Sequence, residues 1–444
     1  MTQVDPATQR ARLLATLRLQ YPDTLDRQRV VGGDDGGDRE DCDDRSDGGD
    51  GGDRDDRTPA SRGFDLLHPA TGESYSGDRR HLVATCRATA NFALGAAADG
   101  PDWCREAAHH GLAFLDEGHG ADEGFHLVVD ADGTPVDRTR SAYAHAFVLL
   151  AYARATAAGI DGAREGLDRA ADLLDDRFVE SNGLCRSDCD PDWTELEPYR
   201  GQNANMHACE AYIAAYEATD DGRFLARART IAHGLTIRLA AETDGLLWEH
   251  YTADWDHDFA YNAEEPRHQF RPPGYQPGHH LEWAKLLALL DRYDAEGAAD
   301  RPENGWYARA AELFDDAVDL GWTGDGFAYT VGRDGAVRVP DRYGWAVAEG
   351  IGAAAALAER AGAHDAPDDG ERFREWHARL VDCAEEFRGP AGLWYEKRVG
   401  GDGERGSNET DRRVPPDPPG VEPDYHPLGA WYESWRSFSA TTGQ

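Results

Sequence analysis

The chain has 444 residues and a formal net charge of −38, with 84 acidic side chains against 46 basic ones. Charge of this size, spread along the whole chain, argues against nucleic acid and anionic membranes as partners. It is typical of proteins adapted to high salt, where ions screen the self-repulsion, and an acidic partner-binding protein is the alternative. Only two lysines occur, Lys285 and Lys397.

The sequence favours a cytoplasmic protein. The first twenty residues lack the apolar core of a signal peptide, and no run of about 18 apolar residues predicts a membrane helix. Cys185 and Cys189 form a C-x-x-x-C pair, but no second pair or nearby histidine completes a zinc site. Four further cysteines lie in helical patterns and are predicted to be reduced, buried thiols: Cys86, Cys104, Cys209 and Cys383.

Two features precede the main body of the chain. Residues 6–21 have the apolar spacing of a short amphipathic helix, carried by leucines such as Leu13 and Leu17. Residues 32–61 are almost entirely Gly, Asp, Arg and Glu. A segment of this composition has little apolar surface to bury, so we expect it to be a disordered insertion.

An internal repeat organises the remainder. A glycine followed by Phe or Leu opens a short strand-like run six times, at spacings of about sixty residues with one of about eighty. These glycines are Gly63, Gly124, Gly183, Gly245, Gly326 and Gly392. The long spacing contains a proline- and glycine-rich connector, so the repeat is interrupted by an insertion at that point.

Between these marks the apolar residues recur in pairs of amphipathic helices. The five complete pairs are 81–98 with 102–115, 143–158 with 163–178, 203–217 with 223–240, 279–293 with 307–320, and 343–360 with 371–386. A last helix, 426–437, lacks a following partner, and the N-terminal helix can complete the sixth pair. This pattern predicts an all-α fold, an (α/α)6 barrel with short β-hairpin connectors, as a single domain over residues 1–444. An open solenoid would need polar caps, which neither end provides.

The connector before the fourth helix pair ends in a histidine. Residues 271–285 read R-P-P-G-Y-Q-P-G-H-H-L-E-W-A-K, and helical spacing begins at His279. A helix N-terminus disfavours an imidazolium ion, so the position favours a neutral histidine that acts as a base. Glu282 lies one turn further along the same face.

Polar side chains recur in the first helix after each mark. They are Arg87, His145, Asn203 with His207, His279 with Glu282, Trp345 with Glu349, and His426. Matching positions in a closed repeat converge at one mouth of the barrel, so these residues predict a shared functional site. Trp, Tyr, Asn and Arg in the flanking segments are typical of a carbohydrate pocket.

Two His-x-x-Glu spacings suggest a metal site as an alternative. His207 with Glu210, and His279 with Glu282, each fall three residues apart on a helix. Di-metal helical bundles use the reverse order, Glu-x-x-His, together with further glutamates. We therefore predict neither a metal nor another cofactor.

Four segments resemble the N-acylglucosamine 2-epimerase superfamily, and the likeness extends from about residue 62 to about residue 435. They are R-G-Q-N-A-N-M-H-A-C-E-A from position 200, W-E-H-Y from 248, F-R-P-P-G-Y-Q-P-G-H-H-L-E-W-A-K-L-L from 270, and Y-H-P-L from 425. Within that family they are most similar to the aldose–ketose isomerases, which act on mannose or sulfoquinovose. The family fold is an (α/α)6 barrel, in agreement with the repeat.

The resemblance implies a role for each matching residue. The family's acid/base pair corresponds to His279 and His426. Its substrate-binding residues correspond to Arg87, Asn203, His207, Glu282, Trp345 and Glu349, with Tyr143 and Arg271 at positions where pocket residues are expected. The Gly/Asp insertion has no counterpart in the family pattern.

The implied reaction is the reversible conversion of mannose into fructose through a cis-enediol. One histidine would open the sugar ring, and the other would move a proton between C2 and C1. Arg87 and His207 would hold the oxygens at C1 and C2 without a metal, and Glu282 would orient His279. Which histidine has which role stays open, as does the oligomeric state.

Three other functions are alternatives. A 2-epimerase of the same family, acting on N-acylglucosamine or the end of a disaccharide, would return the proton to the opposite face. A sulfoquinovose isomerase would use the same chemistry on another sugar. A glycoside hydrolase needs two carboxylates, for which Glu249, Asp254 and Glu349 are candidates. A non-catalytic sugar-binding protein would not require paired histidines.

Overall fold

The computed structural model describes residues 5–21, 63–293, 300–400, 412–417, 420–422 and 424–442. The acidic insertion predicted at 32–61 lies outside this range. The described residues form twelve α-helices and nine short strands.

Six helices form an inner ring. They are α2 (Leu82–Ala97), α4 (Ala142–Ala157), α6 (Gln202–Thr219), α8 (Pro277–Tyr293), α10 (Gly344–Ala363) and α12 (Tyr425–Thr442). These helices are rich in alanine and other small or apolar residues, and α2, α4, α6, α8 and α10 are buried on almost every side. A helix that is apolar around most of its circumference requires neighbours on all sides, and the inner ring provides them.

The other six helices form an outer ring. They are α1 (Pro6–Tyr21), α3 (Asp102–Phe114), α5 (Ala163–Arg177), α7 (Gly222–His233), α9 (Gly305–Gly321) and α11 (Pro367–Ala384). In α5, for example, Leu167 and Leu174 are buried while acidic and basic side chains cover the opposite face. An amphipathic helix of this kind packs its apolar stripe on the inner ring.

The two ends of the chain close the barrel. Each inner helix packs against the next, and α12 packs against both α10 and α2. The N-terminal helix α1 packs on α12 and also contacts α2 and α3, so it is the outer partner of the sixth pair. The predicted (α/α)6 barrel is confirmed.

Two predicted helices change their winding before they end. The helix expected at 102–115 ends at Phe114 and continues as a π-helical turn, Leu115–His119. The helix expected at 223–240 ends at His233 and continues as π-helical Gly234–Leu239. The second change begins at Gly234, which packs directly against Leu184, so that a side chain at position 234 would collide with that leucine.

Short antiparallel strands connect the pairs in three small sheets. The strands are β1 (Arg79–His81), β2 (Val128–Asp130), β3 (Pro135–Asp137), β4 (Arg200–Gly201), β5 (His250–Tyr251), β6 (Ala328–Val331), β7 (Val337–Tyr343), β8 (Lys397–Val399) and β9 (Arg412–Val414). The sheet orders are β1-β2-β3, β4-β5 and β6-β7-β8-β9. Strands β1, β4 and β7 each run directly into an inner helix, so the sheets lie at the N-terminal mouth of the barrel.

Ion pairs join the inner helices toward their C-terminal ends. Glu217 of α6 receives hydrogen bonds from Arg154 of α4 at 2.6 Å and from Arg436 of α12 at 2.7 Å. Arg292 of α8 contacts Glu433 of α12 at 2.7 Å. These pairs connect four of the six inner helices away from the N-terminal mouth.

The six cysteines in the described part of the chain are buried and free. Burial is the main cause that raises the pKa of each of these thiols, so they remain protonated near neutral pH. Among the described residues, no helix is long and apolar enough to cross a membrane.

Candidate active site

A cavity of about 530 Å³ opens at the N-terminal mouth of the barrel. We call it the histidine cavity. Eight of the predicted site residues line it: Arg87, Tyr143, Asn203, His207, His279, Glu282, Trp345 and His426.

His279 is in the first turn of α8 and is held from behind. Its Nδ1 lies 2.8 Å from a carboxylate oxygen of Glu249, and the side chain of Glu249 is 3% exposed. Since Nδ1 is engaged, Nε2 is the nitrogen left for a ligand in the cavity. Burial lowers the pKa of His279, but the charge and hydrogen bond of Glu249 outweigh it and raise the pKa above the usual 6.5.

This geometry corrects two sequence-based expectations. The helix mouth was expected to keep His279 neutral, whereas its buried carboxylate partner raises its pKa. Glu282 was expected to orient His279, but the orienting residue is Glu249, which directly precedes β5. The N-terminal turn of α8 points Nδ1 of His279 toward this connector. Glu282, one turn along the helix, lies 3.6 Å from Nδ1 of His207.

His426 is held in the same way, at the start of α12. Its Nδ1 lies 2.7 Å from Glu349 of α10, and its Nε2 lies 3.4 Å from Glu422. Burial lowers the pKa of His426, but Glu422 and Glu349 together raise it to about 9. His426 is therefore cationic at neutral pH, unlike an ordinary histidine.

The indole ring of Trp345 packs against both histidines. Its centroid is 5.3 Å from that of His279 and 5.8 Å from that of His426. The two imidazoles therefore border one cavity and share a flat apolar neighbour. Such a surface suits the C–H face of a sugar.

Arg87 of α2 is fixed on every side. Its guanidinium group stacks between the rings of Phe147 and Tyr425, at 4.5 and 4.7 Å. It forms a short ion pair with Glu422 and lies 3.2 Å from the hydroxyl of Tyr143. An arginine held this rigidly presents its N–H groups to a ligand oxygen without losing further conformational freedom.

His207 and Glu282 form the floor of the cavity. Nδ1 of His207 lies 3.0 Å from Glu210, whose other oxygen accepts a 2.7 Å hydrogen bond from Tyr425. Glu282 lies 3.6 Å from the same nitrogen. Burial and the charge of Glu349 raise the pKa of Glu282, so a protonated Glu282 is favoured more than in water.

Two predicted site residues lie outside the histidine cavity. Glu349 is behind His426, where it positions the ring. Arg271 lines a neighbouring cavity, together with Tyr143, Asn203 and Phe270, which border both cavities. Its guanidinium forms a two-point ion pair with Glu197 and stacks on Tyr199 at 4.1 Å. Asn203 stands between the two spaces and donates a hydrogen bond to the carbonyl of Phe270 at 3.0 Å.

His145 does not belong to the site, although the repeat placed it there. Its Nδ1 lies 2.7 Å from the carbonyl of Ser141, and its Nε2 accepts a hydrogen bond from the backbone of Phe125. Burial lowers its pKa to about 4, so it is a neutral core residue. In this repeat the aromatic residue at the cavity is Tyr143, two positions earlier.

Two groups of donors have the spacing of metal ligands. They are His207, Glu210 and Glu282, and Glu282, Glu349 and His426, with donor atoms within 4.8 Å of one another in each group. Both histidines in these groups already use Nδ1 on a carboxylate. The ammonium group of Lys285 pairs with Glu349 and also acts on Glu210 and Glu282. These donors therefore fit an internal ammonium ion better than a metal.

Sequence reasoning missed several functional residues. The carboxylate of Glu422 lines the cavity, as do Gln276, Tyr329, Tyr343 and Glu396. Glu422 precedes the Y-H-P-L segment by three positions, and no repeat or spacing singles it out. Glu249 occurs in W-E-H-Y, but that segment does not indicate which histidine it contacts.

The arrangement provides both a base and an acid. His279 offers Nε2 with a carboxylate behind it, and His426 is a buried cation that lines the same cavity. Arg87 supplies fixed N–H donors for an oxyanion that develops nearby. The site is therefore equipped to remove a proton next to a carbonyl group and return it to the neighbouring atom.

The chain is similar to known proteins over most of its length. The N-acylglucosamine 2-epimerase (GlcNAc 2-epimerase) family matches residues 63–430. The chain is 34% identical over 383 residues to a D-mannose isomerase of Marinomonas mediterranea, spanning 84% of this chain and 90% of that protein. It is 41% identical over 316 residues to a D-mannose isomerase of Thermobifida fusca, spanning 69% and 74%.

A solved structure agrees with these relatives. The crystal structure of a D-mannose isomerase matches with a TM-score of 0.74 at 33% identity, spanning 84% of this chain and 92% of that one. Both the sequence match and the structural match extend over most of the barrel. The chain belongs to the N-acylglucosamine 2-epimerase family.

Proposed function

We propose that the protein is an aldose–ketose isomerase that interconverts D-mannose and D-fructose. The observation that carries the proposal is the pair of buried histidines, each held at Nδ1 by a carboxylate and each packed near Trp345. The likeness to D-mannose isomerases over most of the chain supports the substrate.

The two histidines have different roles in this proposal. His426, whose pKa is about 9, is protonated near neutral pH and donates a proton to the ring oxygen as the C1–O bond of the ring opens. The hydroxyl at C1 releases its proton to solvent in the same step and becomes the aldehyde carbonyl, and His426 regains a proton from solvent. His279, when neutral, takes the C2 proton at Nε2, and the electron pair moves through C1 onto the carbonyl oxygen. His279 then returns that proton to C1 while the proton of the C2 hydroxyl passes to the oxygen at C1, which leaves a ketone at C2 and a hydroxyl at C1.

Arg87 and His207 stabilise the enediolate in this scheme. Arg87 is fixed by Glu422 and by two aromatic rings, so its N–H groups need not reorganise as negative charge forms on oxygen. His207 is held by Glu210 on the cavity floor. Both side chains line the cavity beside His426.

The charge of the cavity favours a neutral sugar. Among the described residues that line it, Arg87, His279 and His426 each have a carboxylate partner. Glu282 and Glu396 add further carboxyl groups to the wall. A sulfonate or phosphate group on the substrate would be repelled by these carboxylates, and the described wall offers it no unpaired cation. We therefore favour mannose over sulfoquinovose or a sugar phosphate.

The carboxylates do not support glycoside hydrolysis. Glu249 and Glu349 lie behind the histidines, with side chains 3% and 2% exposed, and each is hydrogen-bonded to Nδ1. Asp254 is exposed on the connector. None of these three is on the cavity wall, where a pair flanking a glycosidic bond would have to be.

The decisive experiment is incubation with D-mannose in D2O at high KCl, followed by NMR. Fructose is the expected product, and sulfoquinovose should react far more slowly. Glucose as the main product would identify a 2-epimerase, and N-acetylmannosamine and cellobiose should be included for that reason. If none of these sugars reacts, the proposal is wrong. A parallel incubation with EDTA should proceed at the same rate.

A further inference from the structure

Lys285 is an exception to the composition of the chain. It is one of two lysines among 46 basic residues, all the others being arginine. It is on α8, within two turns of His279, and is only 8% exposed. A buried lysine in a chain that otherwise uses arginine requires a local physical reason.

The carboxylates around Lys285 come from three inner helices. Its ammonium group pairs closely with Glu349 of α10. Glu210 of α6 and Glu282 of α8 also stabilise its charge. Burial lowers the pKa of Lys285, but these three carboxylates raise it above its usual value, so it remains protonated.

Each of these carboxylates serves a residue of the proposed site. Glu349 holds Nδ1 of His426, and Glu210 holds Nδ1 of His207. Glu282 lines the histidine cavity itself. From α12, Tyr425 donates its hydroxyl to Glu210, so His426 and Tyr425 face the same group of charges.

The space around the lysine stem is narrow. A Cβ atom added at Gly352 of α10 would lie 3.1 Å from Cδ of Lys285. The unbranched lysine stem passes this glycine, whereas the broad, planar guanidinium group of arginine needs more room and a wider fan of acceptors. A compact ammonium ion is the cation that fits.

We propose that Lys285 is a positioning residue of the active site, the shared internal cation that offsets the negative charge of Glu210, Glu282 and Glu349 beside the histidine cavity. Lys285 pairs with Glu349, which belongs to one of the two groups of donors that have metal-ligand spacing. The positive charge that balances these carboxylates is therefore supplied by a side chain of the protein itself. The inference rests on the proposed function where it concerns turnover. The electrostatic role of Lys285 can be tested by a measurement that does not depend on enzymatic activity.

Removing the cation should cause the carboxylates to bind a proton. Three buried carboxylates without a cation repel one another, so at least one becomes protonated at a higher pH. When Glu349 is the one protonated, it no longer holds His426 as a carboxylate. In K285M we expect kcat at pH 7 to fall about tenfold or more, and the acid limb of kcat to move up by about one pH unit.

The matched control is R154M. Arg154 is a half-buried cation that also joins two inner helices, but its partner Glu217 keeps Arg436 when Arg154 is lost. R154M should lower thermal stability while leaving the pH profile of kcat in place. K285R keeps the charge in a larger side chain and should retain the acid limb of the wild type even if kcat falls.

Thermal unfolding supplies the readout that does not require activity. Relative to the wild type, K285M should lose more Tm at pH 8 than at pH 5, because the uncompensated carboxylates are ionised at the higher pH. R154M should show no such difference. If the protein turns out not to isomerise sugars, this comparison still decides the electrostatic role.

Two results would overturn the proposal. One is a K285M protein whose Tm loss is the same at pH 5 and pH 8. The other is additive destabilisation by K285M and E349Q in the double variant, since paired charges should couple and the double variant should be more stable than K285M alone. That cycle also covers the case in which K285M does not fold. If K285M is active and the acid limb of its kcat profile is not shifted, Lys285 does not influence turnover, and that half of the proposal is wrong.

Discussion

The protonation state of His426 depends on two carboxylates from different parts of the chain. Glu349 holds Nδ1 from α10, and Glu422 lies 3.4 Å from Nε2. With a folded pKa of about 9 against about 6.5 unfolded, this histidine stabilises the protein fully below pH 6.5. That contribution is lost as the pH rises toward 9.

Replacing Glu422 by Gln tests this dependence. Glu422 is the largest cause that raises the pKa of His426, so E422Q should move the alkaline limb of kcat/KM to lower pH, by about one unit. The measurement is initial rate against pH for mannose. E359Q is the control, because Glu359 pairs with Arg292 near the opposite end of α10.

The outcome separates two views of Glu422. If the alkaline limb stays in place while KM changes, Glu422 only contacts the substrate. If E359Q moves the limb equally, the effect is one of net charge rather than of this contact. A shift confined to E422Q supports His426 as the proton donor.

The positions of individual site residues could be predicted where the repeat marks them. Their hydrogen-bond partners could not, because tertiary contacts determine these partners. His279 and His426 follow turns at helix starts, so the sequence locates them. Their partners Glu249 and Glu349 are 30 and 77 residues away. No local pattern encodes which carboxylate meets which nitrogen, and Glu282 was assigned to His279 for that reason.

At the level of elements, the first turn of α8 packs closely against the indole ring of Trp345. Gly278 is in its first turn, and a Cβ atom there would collide with the indole ring and lie 2.9 Å from Cβ of Ala346. The helix can approach α10 this closely only because position 278 has no side chain. The contact fixes the position of the indole ring, which packs against both histidines.

Gly278→Ala should therefore impair catalysis more than folding. Displacing Trp345 by about 1 Å misplaces both imidazoles, for which a loss of about 10²-fold in kcat/KM is expected. The measurement is kcat/KM together with near-ultraviolet circular dichroism of the tryptophans. Gly429→Ala in α12 is the control, because its added Cβ meets nothing within 4 Å. Equal activities of the two variants would contradict this account.

Helices were predicted more accurately than the connections. The fourth pair was expected to begin at 279, and α8 begins at Pro277. The strand-like runs after the glycines become strands only where a partner is within reach, as in β6 with β7. After Gly183 only isolated bridges form, such as Val179 with Cys185. Strand pairing depends on distant segments, which periodicity does not report.

At the scale of the whole molecule, the net charge of −38 predicts dependence on salt. In dilute buffer the acidic groups repel one another over long distances, whereas at 1 M salt the screening length is about 3 Å. We expect Tm and kcat to rise with KCl, most steeply below about 1 M. Thermal unfolding and initial rates from 0.05 to 3 M KCl measure this.

The shape of the salt response distinguishes screening from other effects. Screening saturates once the Debye length is shorter than the spacing of charges, whereas exclusion of salt from the surface continues to act at higher concentration. Sucrose, which is excluded without screening, is the control. A rate and a Tm that are undiminished in dilute buffer would rule out salt adaptation.

The closure of the ring by α1 and α12 has a consequence for biosynthesis. Arg87 comes from the first inner helix and His426 from the last, and Glu422 joins them across the place where the ring closes. A nascent chain on the ribosome can form five helical hairpins and still have no working centre. Enzymatic activity thus reports completion of the barrel, and a chain that stalls before α12 emerges is inactive however well the preceding repeats have folded.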